Sequence, residues 1–212
     1  LRLCVRRWWL EQERPVGCTA EGVDVGMEAG EREQISLAAT KHVMAMGLAV
    51  ERRYGIEHAY ATDGSADEAE ARGQGEVGAR AAAWGSWDGS VARGGALPPG
   101  TGNQVAELYA IERTLAEHEA GDRIMILCDC QAAMTMVDEA WRSGRVGPRG
   151  PMAGRTGGGL VEAITRHRLR ITSEAADGSG RRGLVCFVWV KAHGGGIAPN
   201  AYADAIAKSH LA

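Results

Sequence analysis

From His58 onward the apolar residues fall in short blocks, each stopped by turn residues, and the blocks change period along the chain. Residues 58–62 are an extended block that runs into Asp63-Gly64-Ser65, read as a turn. Residues 66–76 are polar and acidic, the tip of a loose hairpin. Residues 77–87 read as a second strand, Asp88-Gly89 as a tight hairpin, and residues 90–97 as a third, antiparallel strand ended by Pro98-Pro99-Gly100. The period then becomes helical. Thr101-Gly102-Asn103-Gln104 is a polar cap, and Leu108, Ile111 and Leu115 recur at helical spacing within residues 105–119. Arg123-Ile124-Met125-Ile126-Leu127-Cys128 is the kind of apolar run found in a strand buried on both faces. Residues 131–141 form a second helix, and residues 160–170 a third with Leu160, Ile164 and Leu169 inward. Residues 184–191 form an apolar strand and residues 199–210 a last helix, with loops at 142–159 and 172–183.

Strands joined through helices become parallel neighbours by right-handed crossovers. The expected fold class is therefore α/β: a five-stranded mixed sheet, three antiparallel strands followed by two parallel ones, flanked by helices. Residues 1–56 carry no recognisable chemistry and are read as an appendage, with one helix running through about Arg53; residues 57–212 are the main domain. There is no internal repeat.

Composition narrows the class. No apolar run approaches the roughly 20 residues of a membrane span, so no membrane is expected. The five Cys (4, 18, 128, 130 and 186) are odd in number and irregularly spaced, and no secretory signal opens the chain; an intracellular, reducing setting is expected. Cys128-Asp129-Cys130 lacks the second cluster that a structural zinc site needs. Charge is unevenly spread. Residues 51–140 hold 16 acids against 7 bases, whereas 142–182 hold 9 Arg against 3 acids. All but three of the 24 bases are Arg, the side chain suited to bidentate phosphate contacts. The chain opens on Leu, as a piece of a longer protein would.

Four acids stand out, and two of them have bland readings. Asp63 before Gly64 is a turn signal, and Glu107 beside the Leu108/Ile111/Leu115 stripe is a solvated helix flank. Asp129 is harder to dismiss, because it follows an apolar strand at its carboxyl end, where open α/β sheets place their sites. Asp204 interrupts a small, apolar helix, where an acid needs a partner such as a cation. If strands one and four are neighbours, the four carboxylates meet at one edge and repel one another unless a divalent cation neutralises them. Hard oxygen ligands suit Mg²⁺, and two such ions about 4 Å apart clamp a phosphodiester during hydrolysis.

The ordered set of motifs resembles the ribonuclease H family. Thr62-Asp63-Gly64-Ser65 is similar to its first-strand motif, and Asn103-Gln104-Val105-Ala106-Glu107-Leu108-Tyr109-Ala110 to its first-helix motif. Cys128-Asp129-Cys130-Gln131 resembles the fourth-strand motif, with Cys130 where Ser is usual. Val188-Trp189-Val190-Lys191-Ala192-His193-Gly194-Gly195 and the helix carrying Asp204 resemble the closing His loop and Asp helix. The resemblance covers residues 58–212 and implies a ribonuclease H-like fold that cuts the RNA strand of RNA/DNA hybrids, leaving 5′-phosphate and 3′-hydroxyl ends. It implies Asp63, Glu107, Asp129 and Asp204 as ligands of two Mg²⁺ ions, with Mn²⁺ as a substitute, Asp63 as the bridge and His193 as an aid to proton movement or product release. Gly64, Ser65, Asn103, Gln104 and Gln131 would contact sugar and phosphate, where 2′-hydroxyls identify RNA.

Two departures matter. Cys130 weakens one backbone contact. The lysine-rich basic protrusion of some members is replaced by a loop with Arg142, Arg145, Arg149 and Arg155, which is expected to bind DNA-strand phosphates. The form of the last motifs, together with the unmatched residues 1–56, looks like the ribonuclease H region of a reverse transcriptase polyprotein, which would make a polymerase portion a partner. The alternatives are a catalytically silent module of the same fold, serving as a scaffold, and a DNA-cutting integrase or resolvase. Retention of all four acids argues against the first, and the Glu helix directly after the meander argues against the second.

Overall fold

The structure, a computed structural model, describes residues 53–67, 81–145, 150–190 and 198–211. Five strands form one sheet: β1 (His58–Ala66), β2 (Ala82–Trp87), β3 (Ala92–Leu97), β4 (Arg123–Cys128) and β5 (Leu184–Trp189). Their order across the sheet is β3-β2-β1-β4-β5. The first two pairings are antiparallel, and β1–β4 and β4–β5 are parallel, which is the mixed sheet expected from the alternation of strands and helices. The helices are α1 (Asn103–Ala116), α2 (Gln131–Ser143), α3 (Gly158–Ile171) and α4 (Ala198–Lys208).

Both faces of β4 are covered, as its unbroken apolar sequence requires. Ile124, Ile126 and Cys128 join Leu108, Ile111 and Leu115 of α1, Met136 and Val137 of α2, and Val161 and Ile164 of α3 in the larger core. On the other face Met125 and Leu127 pack with Ala61, Val188 and Ala203 of α4. A central strand so enclosed fixes what lies just beyond its carboxyl end.

Several local readings need correction. Asp63-Gly64-Ser65 is not a turn: β1 continues to Ala66, and Asp63 pairs with Gly85, Gly64 with Trp84 and Ser65 with Ala83. Ladder pairing with β2 through these residues and packing by α1 override the local Asp-Gly preference. The polar cap of α1 is absent in the expected form. Its N-cap is Gly102 without a side-chain bond, and Thr101 Oγ1 donates instead to Pro98 O, 2.6 Å away. Leu169 points outward and is 53% exposed, because the inward stripe of α3 runs through Val161, Ile164 and Ile171. Ala66, expected in the hairpin tip, still pairs with Ala82 as the last residue of β1, while the expected helix before Arg53, the rest of the tip from residue 68 and residues 77–80 lie outside the described residues.

Candidate active site

Two close approaches between helices and sheet bring the acids together. The first is at Gly64. A Cβ there would overlap the backbone N of Glu107 and meet the Cβ of Ala106 at 2.8 Å. Only a glycine lets α1 lie so tightly on β1, and that contact buries Glu107 at 2% exposure instead of leaving it a solvated flank. The second lies across one register row of the sheet, Asp63–Gly85–Gly94, whose members share a face. A Cβ at Gly85 would stand 2.7 Å from the backbone N of Ala207, and one at Gly94 would stand 2.7 Å from Ile206 Cγ2. Helix α4 therefore lies directly on this row, and Asp63 sits at its end.

Asp63, Glu107 and Asp129 each offer a carboxylate oxygen within 4.8 Å of the others. Asp63 is 5% exposed, at the point where β1 runs beside the end of β4, with Thr62 opposite Cys128. Burial first, then the negative charges of Asp129 and Asp204, push the Asp63 carboxyl up to about 8. Burial, then Asp63 and Asp129, push Glu107 up to about 10, although the Gly64 N–H donates to it. Charges this close cannot all ionise in a dry site without a counter-charge.

Asp129 is held from two directions. Asn200 Nδ2 donates to Asp129 Oδ2 at 2.9 Å, and Trp189 Nε1 donates to the Asp129 backbone carbonyl at 2.9 Å. Asp204 on α4 accepts from Lys208 Nζ at 2.8 Å and does not belong to the 4.8 Å group. It does act on Asp63 electrostatically, with Lys208 partly opposing it. The donors are hard oxygens held close with mutual repulsion, which fits a divalent cation of the Mg²⁺ kind.

The RNase H family model matches residues 57–212. The chain belongs to the ribonuclease H family. Comparison with curated proteins gives no match. Membership supports a hydrolytic nuclease that binds nucleic acid, and the acidic group is compatible with the divalent metal such a domain uses.

Around this ribonuclease H centre, Gly64 is buried and serves packing, while Ser65 is half-buried beside it on β1. Asn103 and Gln131 are exposed at the first positions of α1 and α2. The Gln104 amide donates to Met136 Sδ at 2.9 Å. Cys130 is the N-cap of α2: its sulfur accepts from the Ala133 N–H at 3.5 Å, the position a serine oxygen would take. Arg142 lies in the last turn of α2 and not in the loop expected there, because the helix continues to Ser143; it pairs with Asp138, Arg155 pairs with Glu139, and both are exposed, as is Arg145. His193 and Arg149 lie outside the described residues. Among the described residues, no helix is long and apolar enough to cross a membrane.

Sequence reasoning missed Asn200. It stands in the last motif, but its role depends on Asp129, 71 positions away. Its Oδ1 is buried with no hydrogen-bond partner.

Proposed function

We propose that this ribonuclease H domain, residues 57–212, hydrolyses the RNA strand of RNA/DNA hybrids with Asp63, Glu107, Asp129 and Asp204 as its metal-binding and catalytic carboxylates. The observation that carries the reading is the trio of carboxylates within 4.8 Å, two of them buried and held far above their ordinary titration range, with Asp129 half-buried beside them. Such strain is costly to keep and has a use only where a cation is to be bound. Two Mg²⁺ ions, or Mn²⁺ in their place, would supply activation of a water and stabilisation of the leaving 3′-oxygen, leaving 5′-phosphate and 3′-hydroxyl ends.

The chain's own residues do the positioning. The Gly64 N–H orients Glu107, and Asn200 and Trp189 orient Asp129, so the donors are set before substrate arrives. Asp204 enters from α4, the element that also closes over Gly85. His193 would assist proton movement or product release. Gly64, Ser65, Asn103, Gln104 and Gln131, carried by three elements, would contact sugar and phosphate, favouring a strand with 2′-hydroxyls and giving weak sequence preference.

The test is a substrate panel in Mg²⁺: RNA/DNA hybrid, single-stranded RNA, duplex RNA and duplex DNA. Cutting of the hybrid alone, with 5′-phosphate products, is the expected result. Cutting of duplex DNA instead would move the chain to another nuclease class, and tight hybrid binding without cutting would favour a silent scaffold module.

A further inference from the structure

At the opposite end of β1 from the carboxylates lies a second cluster, built from three segments. His58 is the first residue of β1, His118 follows α1, and Asp122 immediately precedes β4. Asp63 lies five steps along the strand from His58, about 16 Å at 3.3 Å per residue. The two clusters therefore share no ligand. His118 Nδ1 is 3.0 Å from Asp122 Oδ2, and the rings of His58 and His118 are 4.9 Å apart between centroids. One ligand atom from each of the three residues lies within 4.8 Å of the other two.

We propose that His58, His118 and Asp122 form a binding site for a borderline divalent cation of the Zn²⁺ class, separate from the nuclease centre. Two imidazoles and a carboxylate are the donor set that Zn²⁺, Co²⁺ and Ni²⁺ prefer, whereas Mg²⁺ takes oxygens. Bonds near 2.0 Å in a tetrahedron place donors about 3.3 Å apart, a spacing bracketed by 3.0 Å and the 4.8 Å limit. The outer contacts also fit. With Nδ1 of His118 turned to the cation, Nε2–H donates to Tyr60 Oη, 3.1 Å away, the second hydrogen bond that a metal-bound imidazole needs to hold its orientation.

Charge states agree with this use. Burial, then the neighbouring His58, hold His118 below its ordinary value, against the pull of Asp122, so its ring is available as a neutral ligand. Burial raises Asp122, but the Glu119 N–H and the His118 ring outweigh it and keep its carboxyl below the ordinary range. A hydrogen-bonded His118–Asp122 pair would need no third member. The second imidazole, exposed on one side and set against the first ring on the other, is what completes a cation site with an open fourth position for water.

The probe is Co²⁺, whose visible absorption reports tetrahedral nitrogen and oxygen ligation, titrated into the full chain. The Asp129→Asn variant serves as a control for the carboxylate centre. The expected result is one equivalent with a visible band, displaced by Zn²⁺, retained in Asp129→Asn and weakened about tenfold or more in His58→Ala. His58 is exposed, so its truncation leaves the fold intact by circular dichroism; Asp122→Asn, nearly isosteric, gives an independent reading of the same loss. No band at micromolar protein, or a band unchanged in both His58→Ala and Asp122→Asn, would overturn the proposal.

Discussion

At the residue scale the site is a balance between burial and charge, and Glu107 shows it most sharply. Asp63 and Glu107 ordinarily titrate near 3.8 and 4.5 but are held at about 8 and about 10 in the fold. Well below pH 3.8 both states are protonated and the stability contributed by these acids is complete. Above that, the folded chain keeps protons that the unfolded chain has released, so stability falls as pH rises, until it has passed the folded values. In EDTA the Tm should therefore drop steadily between pH 6 and pH 9, and millimolar Mg²⁺ should reverse most of the drop. Glu107→Gln keeps the shape and the bond from Gly64 while removing the ionisable group. It should be about 1–2 kcal/mol more stable than the parent in EDTA at pH 8 and should lose cleavage. A Tm in EDTA that is flat with pH, or a less stable Glu107→Gln, would contradict this account. The mutual repulsion of the acids was legible in the sequence once their strands were set side by side, but the burial of Glu107 was not. Glu107 beside its apolar stripe has the pattern of a solvated flank, and only the glycine facing it across the β1–α1 contact makes it buried.

The elements themselves were largely legible, because period and turn chemistry are local. Leu108, Ile111 and Leu115 mark α1, and the run from Ile124 to Cys128 marks a strand enclosed on both faces. What was not legible is where pairing between elements overrides local preference. Asp63-Gly64-Ser65 has turn chemistry, yet pairing with β2 carries β1 extended through it, past Thr62 where the ladder with β4 ends. Asn200 and Asp129, like His58 and His118, meet only because strands and helices far apart in sequence are stacked. Gly64 makes the contact testable. Alanine there must push α1 off the sheet at Glu107, so Gly64→Ala should lose about 1–3 kcal/mol in urea denaturation and bind Mg²⁺ more weakly. Unchanged stability would mean that the helix does not rest on this residue.

Across the whole molecule the charges are divided by function. The acids of residues 51–140 include three that converge on the candidate centre, while the Arg-rich stretch begins at Arg142 in the last turn of α2, the helix that starts at Gln131. Arg142 and Arg155 are engaged with Asp138 and Glu139, and Arg145, exposed just past the end of α2, is a described side chain open to a phosphate. Arg145→Gln should weaken hybrid binding similarly for all sequences and lower the slope of log affinity against log salt by about 1. A slope identical to that of the parent would remove Arg145 from the interface. The central claim, that the converging carboxylates make this ribonuclease H domain a metal-dependent hybrid nuclease, is tested most directly by following cleavage of a labelled RNA/DNA hybrid in Mg²⁺ by the full chain and by Asp129→Asn. The account predicts cutting of the RNA strand that EDTA stops and that falls by about a thousandfold or more in the folded variant. Equal cutting by Asp129→Asn, or cutting that persists in EDTA, would contradict it.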